Sequence, residues 1–566
     1  MLSTNSELVL ARYLSIGAAF VTMFVLAGPV SDPVNVTKLL VAGIVAFGLL
    51  PFFFSKRSKE LFASNKLLLG FLVFFNLFSL ASSVLSEAPF VQNFYGESGR
   101  NTGFLTYLIL SLVLLGSTLI SQDSSFKRIL VWFVVAGAVN VVLGYWAWTL
   151  GDPIPWNNIY GNLLGTFGNP NFMGAFMGMF SAVLAVLAFC ESFALKWRLL
   201  FGLSWLLTIP VMLQTKAVQG VLLTLGGAGL ALFCFLYFKY KNKWINTLYG
   251  TLFLSSAVLA VLGALQIGPL SQYIYKKSVS LRGSYWNAAI EMGSSNPVTG
   301  VGMDSYGTFY RKYRSENAAT DMPGPEVASN AAHSVPLDFL AFGGFPLFVT
   351  YVAILVIGLI SLVKVLRRKK LYDPVFLSLA IIWVTYQIQS VISINQLGLA
   401  IWGWVTTGAL VAYERTTRES NVLDGSKVSR KSKFATKQEF LTPGLLAAIG
   451  SGVGILITIP PLSADASYRN AIKYQNLEKL EAAMVPSYFR PSNSRTFGNA
   501  VQILEESKLY EAGIKYAREG VKFNPMAFDA WKALYYSTNA TPGEKSKAKS
   551  KMIELDPNNY ALKDLP

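Results

Sequence analysis

A single imidazole stands among the 566 residues, and its setting offers acid–base chemistry. His333 lies in Asn330-Ala-Ala-His333-Ser-Val-Pro336. Proline favours the first turn of a helix, so a helix is expected to begin beside His333. The positive end of that helix dipole disfavours a second positive charge, which leaves the imidazole neutral and able to take a proton. The competing reading is a structural histidine bonded to a loop carbonyl. Cations recur in the same stretches of chain. Arg100 sits in Gly96-Glu-Ser-Gly-Arg100-Asn-Thr-Gly103, Lys216 in the short turn 214–218, and Arg282 in Leu281-Arg-Gly-Ser-Tyr-Trp286; Arg311 and Arg314 follow. Guanidinium forks match phosphate oxygens two at a time. Arg100 and Arg282 are flanked by glycine, which permits close backbone approach; Arg311 and Arg314 read equally well as a solvated helix face. Asn169-Pro170-Asn171 supplies an N-cap and a first-turn proline, and the free N–H groups of such a helix start attract anions. A capped helix start with no further task fits the same residues. One base and several anion binders together suit a substrate that carries phosphate or pyrophosphate.

The elements that must position these groups are membrane helices. Hydrophobic residues make up 53% of the chain and charged residues 14%, too little charge for a soluble protein of this length. About thirteen stretches between residues 8 and 462 have the ~20 apolar residues a spanning helix needs, and none shows the alternation of a barrel strand. The fold class is all-α and polytopic. With the N-terminus cytoplasmic, the basic clusters at Lys56–Lys66, Lys239–Lys243, Lys364–Lys370 and Arg415–Lys437 all fall on the inside, as the positive-inside rule requires. The net charge of +17 is thus a topology signal and not a nucleic-acid footprint. Cys190 and Cys234 fall inside expected spans, and one histidine excludes a multi-histidine metal site. No metal and no cofactor is expected.

This frame divides the chain into a transmembrane domain, residues 1–462, with a large extracytoplasmic loop at 266–333, and an extracytoplasmic helical domain, residues 463–566. In the latter, Phe489-Arg-Pro491, Phe523-Asn-Pro525 and Leu555-Asp-Pro557 recur at spacings of 34 and 32, which is the tetratricopeptide pattern. An unrelated helical tail is the rival. Either is a surface on which a protein could dock.

Four stretches carry a resemblance: Gly-Arg100-Asn-Thr-Gly; Gly165-Thr-Phe-Gly-Asn-Pro-Asn171; Arg282 and Trp286 with Pro297-Val-Thr-Gly300-Val-Gly302; and Ala332-His333-Ser334 ahead of Gly343-Gly344. They resemble the O-antigen ligase and polymerase (Wzy) family, including its protein O-oligosaccharyltransferases. The resemblance implies a metal-independent, inverting glycosyltransferase of the GT-C type in the inner or plasma membrane. Such an enzyme moves a glycan from an undecaprenyl-pyrophosphate carrier to an acceptor hydroxyl on a lipid, a growing glycan or a protein. It implies His333 as base and Arg282, Arg100 and Lys216 on the pyrophosphate. Where relatives show Ser-Arg-Gly this chain has Val218-Gln219-Gly220, and where they show His-Asn it has His333-Ser334. A flippase for a lipid-linked glycan is the alternative of another class; it calls for ionisable groups deep in the spans and duplicated topology.

Overall fold

The computed structural model describes residues 4–156, 158–264, 267–269, 271–274, 277–423 and 438–565. Its elements are helices from Thr4–Met23 to the 3-10 turn Tyr560–Asp564. Ten of the described helices are long and apolar enough to cross a membrane. Three more helices, Phe104–Thr118, Lys243–Ala264 and Leu397–Leu423, occupy the other expected spans. The protein is a multi-pass membrane protein.

Small residues bring the helices together, as expected where no hydrophobic force acts between them in lipid. Helix Asn35–Phe53 lies on Gln438–Lys473 so closely that a Cβ on Gly454 would stand 2.4 Å from the Gly43 carbonyl, and one on Gly450 2.4 Å from that of Phe47. Pro170–Ala188 and Val218–Tyr240 approach in the same way through Gly174 and Gly220.

The segment expected as one long loop, 266–333, contains four helices among its described residues: Ser271–Ile274, Lys277–Ser295, Tyr306–Tyr313 and Glu316–Thr320. It is stitched into the bundle at a break. The helix Val335–Arg368 has non-helical backbone at Gly343 and Gly344, which strips the Ala341 and Phe342 carbonyls of helical partners. Val301 N–H donates to the former at 2.8 Å and Gly302 N–H to the latter at 3.0 Å. Ser82 Oγ adds a bond to Phe342 O at 2.6 Å. In return, Phe345 N–H donates to the Pro297 carbonyl at 2.9 Å. Gly300, at φ +60, makes the turn possible, because any Cβ there would lie 2.4 Å from the Phe342 carbonyl. Gly300→Ala is therefore expected to cost at least the roughly 1–2 kcal/mol of a left-handed backbone plus that clash, read as a lowered thermal midpoint of the purified protein in detergent.

At its C-terminal end, Gln438–Lys473 runs on past residue 462, where the last span was expected to stop. A second hydrophobic core follows, from Ala471 to Leu562, in which Phe497 and Trp531 are both buried.

Candidate functional site

The site forms where the 96–103 loop, the helix Lys277–Ser295 and the start of Val335–Arg368 meet. Asp304 organises it. This fully buried aspartate has left-handed backbone, φ +55. Its Oδ2 accepts the backbone N–H groups of Glu97 at 2.9 Å and Thr102 at 3.0 Å. Its Oδ1 lies 3.1 Å from Arg100 Nε. One carboxylate thus closes the loop that carries Arg100 and balances the guanidinium. Arg100 Nη1 in turn donates to the carbonyl of Asn330, three residues before the histidine.

The other side of His333 is held by Asp338, in the first turns of the helix that follows. Its Oδ1 accepts the Ala332 N–H at 2.8 Å, and its own N–H donates to Ser334 O at 2.8 Å. Between these clamps His333 adopts φ +55, a conformation most side chains avoid. Its half-buried ring stacks on Tyr285, with centroids 5.5 Å apart and planes at 27°. Tyr285 is fixed by Tyr306, whose hydroxyl donates to the Tyr285 carbonyl at 2.8 Å.

Arg282 lies three residues before Tyr285 on the same helix, hence on the same face. Burial makes its guanidinium easier to deprotonate than usual, and it meets no carboxylate among the described residues. Arg100 and Arg282 therefore differ in kind: the first is neutralised by Asp304, the second keeps its charge unbalanced. Burial foremost, then Arg282 and Arg100, push the His333 imidazole down to about 4, so it is neutral at physiological pH. Trp286 leaves its indole N–H buried and without a partner among the described residues.

The remaining cations are placed differently. Arg311 and Arg314 form neither a solvated face nor part of the His333 cluster. Both are buried, and both point at Asp556 of the C-terminal helices: Arg314 Nε and Nη2 grip its two oxygens at 3.0 and 2.6 Å, and Arg311 Nη1 lies 3.3 Å away. A carboxylate, that of Asp556, occupies the fork that the sequence suggested for phosphate. Asn169 caps Pro170–Ala188 as expected, accepting from Asn171 N–H at 2.9 Å, and its amide reaches the Tyr160 hydroxyl at 3.3 Å. Gln219, at the position of the missing arginine, is buried and donates to the Asn171 carbonyl at 2.5 Å. Lys216 stands exposed in the adjoining turn with φ +54. Asn169 and Gln219 thus make a second group, joined through Asn171, while the charged neighbours that shift the imidazole are Arg282 and Arg100.

Sequence reasoning passed over Asp304, Asp338 and Tyr285. The one signal for Asp338 was an acid in the first turns of the helix that Pro336 announces, where negative charge suits the dipole.

Residues 173–352 match the family described as O-Antigen ligase. The match takes in Arg282, Asp304, His333 and Asp338; Arg100 and Asn169 precede it. A search of curated proteins returned no match.

Proposed function

We propose, on the premise that residues 173–352 form an O-antigen ligase domain, that the chain transfers a glycan from an undecaprenyl-pyrophosphate carrier to an acceptor hydroxyl at the end of the bundle that holds His333. The observation that carries the reading is an uncharged imidazole beside a guanidinium without a counter-ion. The acceptor oxygen attacks the anomeric carbon as His333 takes its proton. The bond from that carbon to the pyrophosphate oxygen breaks on the opposite face, giving inversion. Arg282 receives the charge that gathers on the departing pyrophosphate, and the indole N–H of Trp286 offers a further donor. Asp304 and Arg100 hold the loop, and Asp338 holds the turn, so that both groups keep their place as the charge moves.

An imidazole near pKa 4 is a weak proton acceptor on its own. The substrate corrects this: a pyrophosphate on Arg282 cancels the cation that lowers the imidazole and adds negative charge beside it. Both changes raise its affinity for a proton. The base is strengthened when the leaving group is in place, so proton removal is coupled to donor binding.

Arg282→Ala is expected to lower transfer about a hundred- to a thousandfold, the loss typical of one aligned charge-stabilising donor. Arg282→Lys, a point charge in place of a fork, recovers part of it. Because one neighbouring cation is gone, the acid limb of kcat/KM should move to higher pH in the alanine variant. Transfer near wild type in a folded Arg282→Ala protein would refute the proposal. Mass spectrometry of glycoconjugates from cells with and without the chain distinguishes the reaction class: a transferase removes one linkage, a flippase every downstream product.

A further inference from the structure

The helix Gln438–Lys473 carries Pro460 and Pro461 in its interior. Proline has no N–H, so the Leu456 carbonyl, which residue 460 would ordinarily satisfy, is left open. The missing donor comes from the C-terminal helices: the Tyr488 hydroxyl donates to Leu456 O at 2.7 Å. The contact fixes how deep Tyr488 sits. Leu456 lies six residues before 462, about 9 Å along the helix axis at 1.5 Å per residue, and thus inside the stretch read from sequence as spanning. Around it, Val453, Ile455 and Leu456 are all exposed, as lipid-facing residues of a spanning helix are.

The chain reaches that depth by turning back. Gln438–Lys473 climbs beyond the span, Leu477–Met484 follows, and residues 485–490 form a tight turn in which Ser487 and Arg490 exchange both backbone hydrogen bonds, at 3.2 and 3.1 Å. The tip is Tyr488-Phe489, rings edge to face with centroids 5.1 Å apart. Tyr488 is 57% exposed, Phe489 49% and Val485 55%. Three large, mostly apolar side chains left uncovered on one six-residue turn would be costly in water. Beside a spanning helix they are not in water, and the turn satisfies the backbone groups of Ser487 and Arg490 on each other. Aromatic rings with a polar edge favour the membrane–water boundary.

We propose that residues 485–490 are a membrane anchor. Phe489 and Val485 sit in the boundary lipid on the His333 side of the bilayer, Tyr488 is clasped to the proline-broken helix, and the C-terminal helices are thereby held at a fixed height over the loop that carries the site. The partner is the lipid itself, not a protein.

The test is a depth measurement on the full chain in vesicles of phosphatidylethanolamine and phosphatidylglycerol. In a Cys190→Ser, Cys234→Ser background, a nitroxide is attached at Phe489→Cys and, separately, at Val453→Cys for lipid and Ser550→Cys, on an exposed polar helix face, for water. These side chains are all at least partly exposed, so labelling leaves the packed core intact. The expected result is a ratio of oxygen to nickel-chelate collision at Phe489 close to that at Val453 and several-fold above that at Ser550. A ratio at Phe489 equal to that at Ser550 would overturn the proposal and return the tip to an aqueous surface.

Discussion

Replacement of His333 by alanine is expected to reduce glycan transfer about a hundred- to ten-thousandfold, the span general-base assistance supplies, with little change in stability. The ring's described contact is its stack on Tyr285, worth about 0.5–1.5 kcal/mol beyond burial. Backbone strain is the alternative cause of any loss, because His333 holds φ +55. His333→Asn separates the two, since asparagine tolerates that conformation better than alanine. Both variants should be equally inactive; an active asparagine variant would move the residue's importance from the imidazole to the turn. The pH profile gives a second, independent reading. In the free enzyme the imidazole is held near 4 by burial and the two arginines, so kcat/KM should stay level down to about pH 4–5 and fall as the ring takes a proton. Bound pyrophosphate favours the protonated ring, so the acid limb of kcat must lie at higher pH than that of kcat/KM. Coincident limbs would mean that donor and imidazole do not share a field.

The helices were legible because lipid imposes one demand on every span, and length with apolarity reports it directly. The break at Gly343-Gly344 was not. Paired glycines in a spanning pattern look like close packing, and only the Pro297–Gly302 backbone bonding into the gap shows that the helix is open there. The site was legible in part. Arg282 was singled out for its flanking Gly283, where an added Cβ would meet nothing within 4 Å; the space beside the arginine is open, not tightly packed. Arg100 was given the same task for the same reason, but Asp304, 204 residues later, takes up its charge. No local pattern distinguishes an arginine awaiting a phosphate from one that already holds a carboxylate. Arg311 and Arg314 make the point more sharply, since their partner Asp556 lies 242 residues beyond Arg314 in a separate core.

That partner carries the second large effect. Asp556 is fully buried between two guanidiniums, and removing one member of such a group leaves buried charge uncompensated, at a cost of about 3–5 kcal/mol. Asp556→Ala should therefore weaken the seat of the C-terminal helices on the membrane bundle, read as new proteolytic cleavage within residues 315–333 and a lowered thermal midpoint. Activity should fall as well. Arg314 donates to the carbonyls of Gly324, Pro325 and Val327, each at 3.1 Å, and Arg311 to those of Pro325 and Glu326 at 2.6 and 3.3 Å. The two arginines thus gather the strand of chain that leads to Asn330 and His333, and Asp556 keeps them aimed. Asp556→Asn preserves shape and removes charge, and it should fall nearly as far as alanine if the carboxylate is what matters. Because the imidazole's own charged neighbours are untouched, the acid limb of kcat/KM should stay near its wild-type position while kcat drops. A limb that moves with Asp556 would place the C-terminal helices inside the electrostatics of the site and not merely beneath its scaffold.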